Sequence, residues 1–469
     1  MGPPLKPFAV LALTGGLLAG CATLEPAYQR PAAPIPAAFP QGGPYAAVQP
    51  AATPPAQTSW KSVFGDPKLQ GLIETALTQN RDLRAAVANV QAAHAQFEVQ
   101  RSQLLPTVEA SGSATYAREP GITGAHVDTH SFSAGIGVAS YELDLFGRLR
   151  SLSKAAFEQY LATDEGRQAA QLTLVAEVAE AYLTLAGDRS LLAVSVQTQT
   201  SGQESLDLAQ RRLDAGVASG LDVDQARTVV EQAKANVAAY TVQAAQAKNA
   251  LDRLVGQVVT EDRTPRGLEE TMASFAEVPA GASSDILLSR PDVLQAEHTL
   301  RAANADIGAA RAAFFPSITL TGEAGTLSPN LSGLLKGSNS VWSFGPAINL
   351  PIFTGGRNQA NLKVSQAQRD AAVATYEGAI QTAFRETADA LALRGGSAAQ
   401  LAAQQALVEA SADALKLSTA RYEQGSDTYL NTLEAQRTLY GAQLGLVTIE
   451  LARTNNLVDL YRALGGGLR

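Results

Sequence analysis

The sequence contains little of the material from which chemical sites are built. Its 469 residues include one cysteine, four histidines and two methionines, so a metal site has few candidate ligands. The signatures GxxxxGK(S/T), HExxH, CxxC and GxSxG do not occur in it. Lys and Arg are scattered rather than massed, which argues against nucleic acid as a partner. We therefore expect neither an enzyme nor a cofactor-dependent protein.

Aromatic residues are also scarce, at 6%, although the hydrophobic fraction reaches 46%. Much of that fraction is alanine, so leucine and valine must fill the interfaces. Such a composition suits long, closely packed helices better than a thick globular core. Beyond the N-terminal leader there is no apolar run of about 18 residues or more, so these helices are not expected to span a membrane.

The single cysteine follows a short leader. Residues 1–20 combine Lys6 with an apolar stretch over 8–18, which is typical of a secretory signal peptide. The tetrapeptide LAGC at 18–21 resembles a bacterial lipobox, which implies cleavage before Cys21 and covalent lipid on its thiol. By the same resemblance, Ala22 implies the outer membrane of a Gram-negative bacterium. The alternative is a chance cysteine behind an ordinary signal peptide.

Residues 21–57 are rich in proline and alanine and carry almost no charge. We interpret them as a lipidated, extended tether without a core of its own. Ordered structure is expected to begin near Thr58.

In the rest of the chain, the first half and the second half have similar sequences. Residues 81–106 align with 291–316 at a shift of 210, and 212–233 align with 421–442 at a shift of 209. The identical positions are Asp82, Ala86, Ala92, Ala93, Ala95, Arg101 and Pro106 in the first pair, and Arg212, Gly216, Leu221, Ala226 and Ala233 in the second. The near-constant shift predicts two structural repeats, 58–265 and 266–469, each with helix, strands and two further helices.

Four strands are predicted, at about 107–117, 131–146, 317–325 and 341–353. Apolar residues alternate there with small or polar ones, and residues 118–130 are read as an external loop. The pattern fits transmembrane β-strands or soluble half-buried hairpins. If the strands span a membrane, four are too few to close a barrel, and an open edge in lipid leaves backbone groups unsatisfied. Several chains would then have to contribute strands to one barrel.

The remaining sequence predicts two long helices, from Gly147 to about Leu213 and from about 354 to Gln424. At about 1.5 Å per residue, each would make a rod of roughly 100 Å that points away from the bilayer into the periplasm. Internal glycines such as Gly187 and Gly202 are read as kinks or as junctions between stacked shorter helices.

Residues 283–325, "SSDILLSRPDVLQAEHTLRAANADIGAARAAFFPSITLTGEAG", are very similar to the signature block of the outer-membrane factor lipoproteins of tripartite efflux systems, the TolC-like family. The segment "FGDPKLQGLIETALTQNRDLRAA" at 64–86 resembles the opening of the same family. So do the joints "LDLFGRLRS" and "LPIFTGGRNQA".

This resemblance implies an α+β membrane protein. Three chains would form a homotrimer with a twelve-stranded β-barrel in the outer membrane, four strands from each chain, continued by an α-helical periplasmic tunnel. A periplasmic adaptor and an inner-membrane pump, of the proton-driven RND type, would dock at its closed end. Drugs or other small solutes would leave passively through the bore, and the only covalent addition would be lipid on Cys21.

In the tunnel that the resemblance implies, residues 211–228 and 420–437 are hairpin turns at the closed end. Gly216 and Gly425 are expected to cap the outgoing helices, and Ser219 or Asp222, and Thr428, to cap the returning ones. The tips that would contact the adaptor are Gly216, Val217, Gly425 and Ser426.

A gate is expected at Asp222, Leu221, Tyr422, Leu430, Asn431 and Glu434, the two leucines being our own addition to the positions that the resemblance implies. Tyr422 and Asp222 match a family pair whose hydrogen bond holds the iris closed. Glu434 keeps a carboxylate of the family's acidic rings, whereas Asn431 does not, and Asp427 stands where the family has a linking arginine. We therefore expect a Tyr422–Asp222 link and an apolar plug of Leu430 and Leu221.

Two other functions fit the same sequence. The duct would serve an ABC-type or type I secretion exporter in one, and the chain would be a lipid-anchored coiled-coil scaffold or adhesin in the other. The paired strand–helix units and the absence of strict heptads argue against the scaffold.

Overall fold

The computed structural model describes residues 23–45, 59–120, 126–277 and 283–467. The predicted signal peptide, Cys21 and the 46–57 part of the tether lie outside the described residues. The chain divides into two compact units. The first comprises 1–32, 89–164 and 295–377, and the second comprises 33–88, 165–294 and 378–469.

The elements follow one another in an order that occurs twice: helix, two strands, long helix, helix. The α-helices of the described residues are α1 (Trp60–Val63), α2 (Pro67–Gln79), α3 (Arg81–Ser102), α4 (Arg148–Asp214), α5 (Gly220–Val255), α6 (Leu268–Met272), α7 (Pro291–Ala312), α8 (Arg357–Glu423) and α9 (Tyr429–Ala463). The strands are β1 (Glu109–Pro120), β2 (His126–Leu143), β3 (Ser317–Ser328) and β4 (Ser340–Asn349).

The first unit contains a four-stranded antiparallel sheet in the order β1-β2-β3-β4. One irregularity interrupts the pairing of β2 with β3, between Val138 and Tyr141. Within the described residues, β1 and β4 are the two edges of this sheet.

The predicted loop at 118–130 is wrong, because β1 and β2 continue pairing up to Pro120 opposite His126. Arg118 lies opposite Asp128 and donates to its carboxylate at 2.6 and 2.8 Å. A charged pair across two strands stabilises the hairpin as an apolar pair would, although hydrophobic alternation does not reveal it. At its other end β2 stops at Leu143 rather than 146, because the Asp144 carboxylate already accepts from the Arg150 amide.

Adjacent rows of the sheet differ in character. Ala110, Ile136, Ala324 and Trp342 lie in register across the four strands, and the next row is Glu109, Gly137, Glu323 and Ser343. Since successive residues of a strand point to opposite faces, one face of the sheet is apolar and the other polar or small. The predicted period of two is confirmed.

On the polar face neighbouring strands approach too closely for side chains at two glycines. A Cβ on Gly137 would lie 2.6 Å from the carbonyl oxygen of Gly322, and one on Gly325 would overlap the carbonyl oxygen of Ala134. Gly322, on the apolar face, would meet nothing closer than 3.7 Å. Among these glycines, the close approach between β2 and β3 is found on the polar face.

The long helices are continuous. α4 and α8 each contain 67 residues, so of the two interpretations of their glycines, kinks or junctions between shorter helices, the second is wrong. Glycines inside α4 serve close packing instead of ending it: a Cβ on Gly187 would lie 2.9 Å from the Leu451 side chain, and one on Gly202 would lie 3.4 Å from Val229. Among the described residues, no helix has a stretch long and apolar enough to cross a membrane.

Ordered structure begins well before Thr58, contrary to expectation. In the first unit, Glu25 accepts from Lys154 at 2.9 Å, and Arg30 and Arg301 both donate to the Glu297 carboxylate. The side chain of Glu297 is only 2% exposed. A few charged and aromatic residues within the Pro/Ala-rich segment thus supply contacts that its composition conceals.

In the second unit, residues 33–45 also make contacts with distant parts of the chain. Phe39 is buried and stacks on Phe384, with ring centroids 5.5 Å apart. The Ser284 hydroxyl donates to the carbonyl of Pro36 at 2.5 Å. Residues 33–45 are therefore anchored to the fold at Pro36 and Phe39.

Candidate gate at the helical hairpins

The first hairpin, in the second unit, joins α4 to α5 through a left-handed glycine. Gly216 has φ of 72°, a conformation that glycine adopts without the steric cost of a side chain. Its amide donates to the carbonyl of Leu213 at 2.9 Å, and the amide of Val217 donates to the carbonyl of Arg212 at 2.9 Å. These two bonds form a Schellman cap of α4.

The second hairpin joins α8 to α9 in the same way. Gly425 also has φ of 72°. Its amide donates to the carbonyl of Tyr422 at 3.0 Å, and the amide of Ser426 donates to the carbonyl of Arg421 at 3.0 Å. The C-terminal caps predicted at both glycines are confirmed.

The returning helices begin differently. Ser219 caps α5 in a complete capping box: its hydroxyl accepts from the Asp222 amide, while the Asp222 carboxylate accepts from the Ser219 amide. Thr428 occupies the corresponding position of α9, but its side chain makes no capping hydrogen bond.

Asp427 organises the second turn instead. Its carboxylate accepts from the Thr428 amide at 2.8 Å and from the Asn431 side chain at 2.6 Å, and it pairs with Arg421 at 3.2 Å. The hydrogen bond from the Thr428 amide, together with that from Asn431, lowers the pKa of the Asp427 carboxyl. Asn431 and Asp427, which depart from the family pattern, are thus partners of each other.

A buried apolar group, called the tip cluster below, joins the two hairpins. Its members are Ala209, Val223, Ala226, Val229, Tyr422, Tyr429 and Leu433. The rings of Tyr422 and Tyr429 meet edge to face at 5.2 Å. Burial raises the pKa of Tyr429 to about 12, and burial also raises the pKa of Tyr422.

Arg212 crosses from the first hairpin to the second. Its Nη1 donates to the carbonyl of Tyr422 at 3.1 Å, and its guanidinium carbon lies 4.5 Å from the centre of the Tyr422 ring. A cation over an aromatic face is attracted to the ring electrons, so side chain and main chain of Tyr422 are both engaged.

The predicted hydrogen bond between Tyr422 and Asp222 is absent. The Tyr422 hydroxyl is buried without a hydrogen-bond partner among the described residues. The Asp222 carboxylate accepts from both the amide and the hydroxyl of Ser219. Local capping of α5 therefore engages one oxygen, Oδ2, of the carboxylate that the family resemblance assigned to the tyrosine.

The remaining predicted residues lie on the exposed side of the hairpins. Val217 and Leu221 are 64% and 65% exposed, and Leu430 is 46% exposed. Glu434 is also exposed. These side chains are available to a neighbouring chain or a partner, whereas Tyr422 is committed to the tip cluster.

Several hydrogen bonds between the hairpins were not predicted from the sequence. They include Arg212 to Tyr422, Gln436 to the Ser205 hydroxyl at 2.8 Å, and the Tyr440 hydroxyl to both Ser195 and Asn236. Arg212 did appear in the internal alignment, opposite Arg421, but a repeated arginine does not reveal which copy faces the other hairpin.

The sequence was compared with models of known protein families and with known proteins. The model of the outer membrane efflux protein family matches residues 72–257 and 282–466. The chain belongs to that family. The toluene efflux pump outer membrane protein TtgC of Pseudomonas putida is 47% identical over 465 residues, which cover 98% of this chain and 96% of the relative. Outer membrane protein OprJ of Pseudomonas aeruginosa is 43% identical over 463 residues, with the same coverage.

Solved structures agree with this assignment. A membrane protein from Pseudomonas aeruginosa superimposes with a TM-score of 0.89 at 42% identity, covering 95% of this chain and 98% of that one. The open state of the MtrE outer membrane channel of Neisseria gonorrhoeae gives a TM-score of 0.86 at 39% identity, covering 96% and 99%. The helical fold with a four-stranded sheet is that of the TolC-like outer membrane channels.

As an outer membrane efflux protein, the chain is a transport protein of the outer membrane rather than an enzyme. It provides the exit duct of an efflux pump. Among the residues that the structure describes, no group of three or more His, Cys, Asp or Glu side chains is arranged to hold a metal ion.

Proposed function

We propose that three copies of this chain form one channel, with a twelve-stranded barrel in the outer membrane and a helical tunnel in the periplasm. The observation that carries the proposal is the sheet, which has one apolar and one polar face and ends in the edge strands β1 and β4. An open edge in lipid leaves backbone groups unsatisfied, so β1 of one copy must pair with β4 of the next.

The glycines of the polar face indicate the direction in which the sheet curves. Because strands at Gly137 and Gly325 approach too closely for a Cβ, the polar face is the concave one. A barrel built from such sheets has its polar face inside, with Glu109 and Glu323 lining the bore, and presents Ile136, Trp342 and Phe344 to lipid.

The chain's two predicted repeats, 58–265 and 266–469, each supply two strands and one helical hairpin to the channel. Three chains then bring six hairpins together at the periplasmic end. The gate there rests closed, with Leu221 and Leu430 forming an apolar plug and three copies of Glu434 repelling anions. Cys21 carries the lipid that anchors the mature N-terminus.

The partners are a periplasmic adaptor and an inner-membrane pump of the proton-driven RND type. The adaptor contacts the exposed tips, Gly216, Val217, Gly425 and Ser426, and draws the hairpins apart. Drugs and other small solutes then pass outward through the bore without chemical change. The pump, not the duct, selects them.

Planar-bilayer recording of the purified full-length protein tests the duct. We expect discrete single-channel steps and a trimer on unheated gels, and a monomer without conductance would contradict the proposal. Mass spectrometry of the N-terminal peptide tests lipidation, with Cys21→Ser as the control. Crosslinkers placed at 214–220 and 423–429 test the partners by capturing the adaptor, and an ABC-type exporter rather than an RND pump in the captured complex would contradict that assignment.

A further inference from the structure

Two arginines occupy equivalent positions in the hairpins but have different surroundings. Arg212 and Arg421 each precede the turn glycine by four residues. Arg421 is 64% exposed and pairs with Asp427 of its own hairpin. Arg212 is half-buried and reaches across to Tyr422 of the other hairpin.

Arg212 joins the hydrogen-bonded turns themselves. Its own carbonyl accepts from the Val217 amide, which closes the first turn. Its side chain donates to the Tyr422 carbonyl, the same oxygen that accepts from the Gly425 amide and closes the second turn. One residue is thus bonded to both caps, so the caps cannot move apart while its side chain stays in place.

The surroundings of this contact strengthen it. Tyr422 is only 5% exposed and packs on Tyr429, which is 2% exposed. A charged donor is attracted more strongly to a carbonyl and a ring when water is excluded. The Tyr422 carbonyl also belongs to the last turn of α8, where the helix dipole favours a positive charge.

We propose that Arg212 is the latch that holds the second hairpin to the first in the resting channel, in place of the Tyr422–Asp222 bond. This inference rests on the proposed function, because a latch matters only if the hairpins close a duct. An iris opens when one hairpin moves against another, and the Arg212 contacts oppose that movement within each chain.

The experiment compares single-channel conductance of the full-length protein with that of three variants. Arg212→Ala is expected to raise open probability about tenfold, since a hydrogen bond from a charged donor is worth roughly that factor in an equilibrium. Arg421→Ala is the matched control from the equivalent position and is expected to conduct as the wild type does. Arg212→Lys keeps a cation over the ring but not the guanidinium fork, so an intermediate value is expected.

The trimer on unheated gels shows whether each variant assembles. If Arg212→Ala does not assemble, Arg212→Lys alone decides, and open probability equal to wild type overturns the latch. Equal open probability of Arg212→Ala and wild type overturns it too, as does an equal rise in Arg421→Ala. A wild type that forms no channel would instead overturn the proposed function.

Discussion

The Asp222 carboxylate accepts two hydrogen bonds from Ser219, from its amide at 2.8 Å and from its hydroxyl at 2.9 Å. Both bonds go to Oδ2, so this oxygen of the carboxylate is engaged in capping the start of α5. The structure therefore separates the role of Asp222 in the first hairpin from that of Tyr422 in the tip cluster.

Tyr422→Phe is consequently expected to leave single-channel conductance unchanged. The variant removes a buried hydroxyl that has no partner among the described residues, while the ring and the carbonyl that contact Arg212 remain. Stability should be equal or slightly higher, because an unsatisfied buried polar group costs about 1–3 kcal/mol. A severalfold rise in conductance would show that a Tyr422–Asp222 bond forms in the assembled channel.

Ser219→Ala is expected to loosen the start of α5. Loss of an N-cap side chain costs about 0.5–2 kcal/mol, and here it also breaks the capping box with Asp222. Hydrogen exchange of the amides at 220–224 should become faster. Thr428→Ala is the matched control, since Thr428 makes no capping bond, and equal acceleration at 429–433 in that variant would contradict the assignment.

Gly325→Ala is expected to abolish the trimer seen on unheated gels. A methyl group at this position would overlap the carbonyl oxygen of Ala134 on the neighbouring strand. Gly322→Ala changes the opposite face of the same strand, where the nearest atom would lie at 3.7 Å, and should be tolerated. The amount of trimer on unheated gels is compared between the two variants. Equal amounts would argue against a concave polar face.

Docking of the N-terminal segment is expected to weaken in acid. Burial alone would raise the pKa of Glu297, but hydrogen bonds from Arg30 and Arg301 outweigh it and hold the pKa below its ordinary value near 4.5. A lowered folded-state pKa means that this stabilisation is present above about pH 4.5 and is lost as pH falls through the folded value.

Hydrogen exchange of the amides at 24–32 measures this release between pH 6 and pH 3. Glu297→Gln, which removes the charge, should expose these amides already at neutral pH. Full protection in that variant would mean that packing rather than charge holds the segment.

Leu430→Ala is expected to raise conductance without lowering stability. Leu430 is 46% exposed and lies outside the tip cluster, so its removal costs little within one chain, whereas a plug at the trimer axis would lose three side chains at once. Leu335→Ala, at a residue that is 92% exposed in the β3–β4 connection, is the control for loss of an exposed leucine. Thermal unfolding and bilayer conductance would be measured for both, and a conductance equal to wild type would exclude the plug.

Much of the fold was accessible from the sequence because it depends on local chemistry. Alternation of apolar and polar residues located all four strands, and the turn glycines located both hairpins. Strand ends were less accessible, since Arg118 and Asp128 extend a hairpin through an ion pair that hydrophobic alternation does not encode. The packed N-terminal segment was missed because Arg30 and Phe39 find their partners far along the chain.

The sequence by itself determined the family, the repeated order of elements and the positions of the turns, since each follows from short-range pattern or similarity. Only the tertiary structure decided which of the two equivalent arginines links the hairpins, and that Ser219 rather than Tyr422 binds Asp222. The physical reason is that these choices depend on which helix faces which across the tip cluster. That arrangement is set by packing between residues more than 200 positions apart, as for Arg212 and Tyr422.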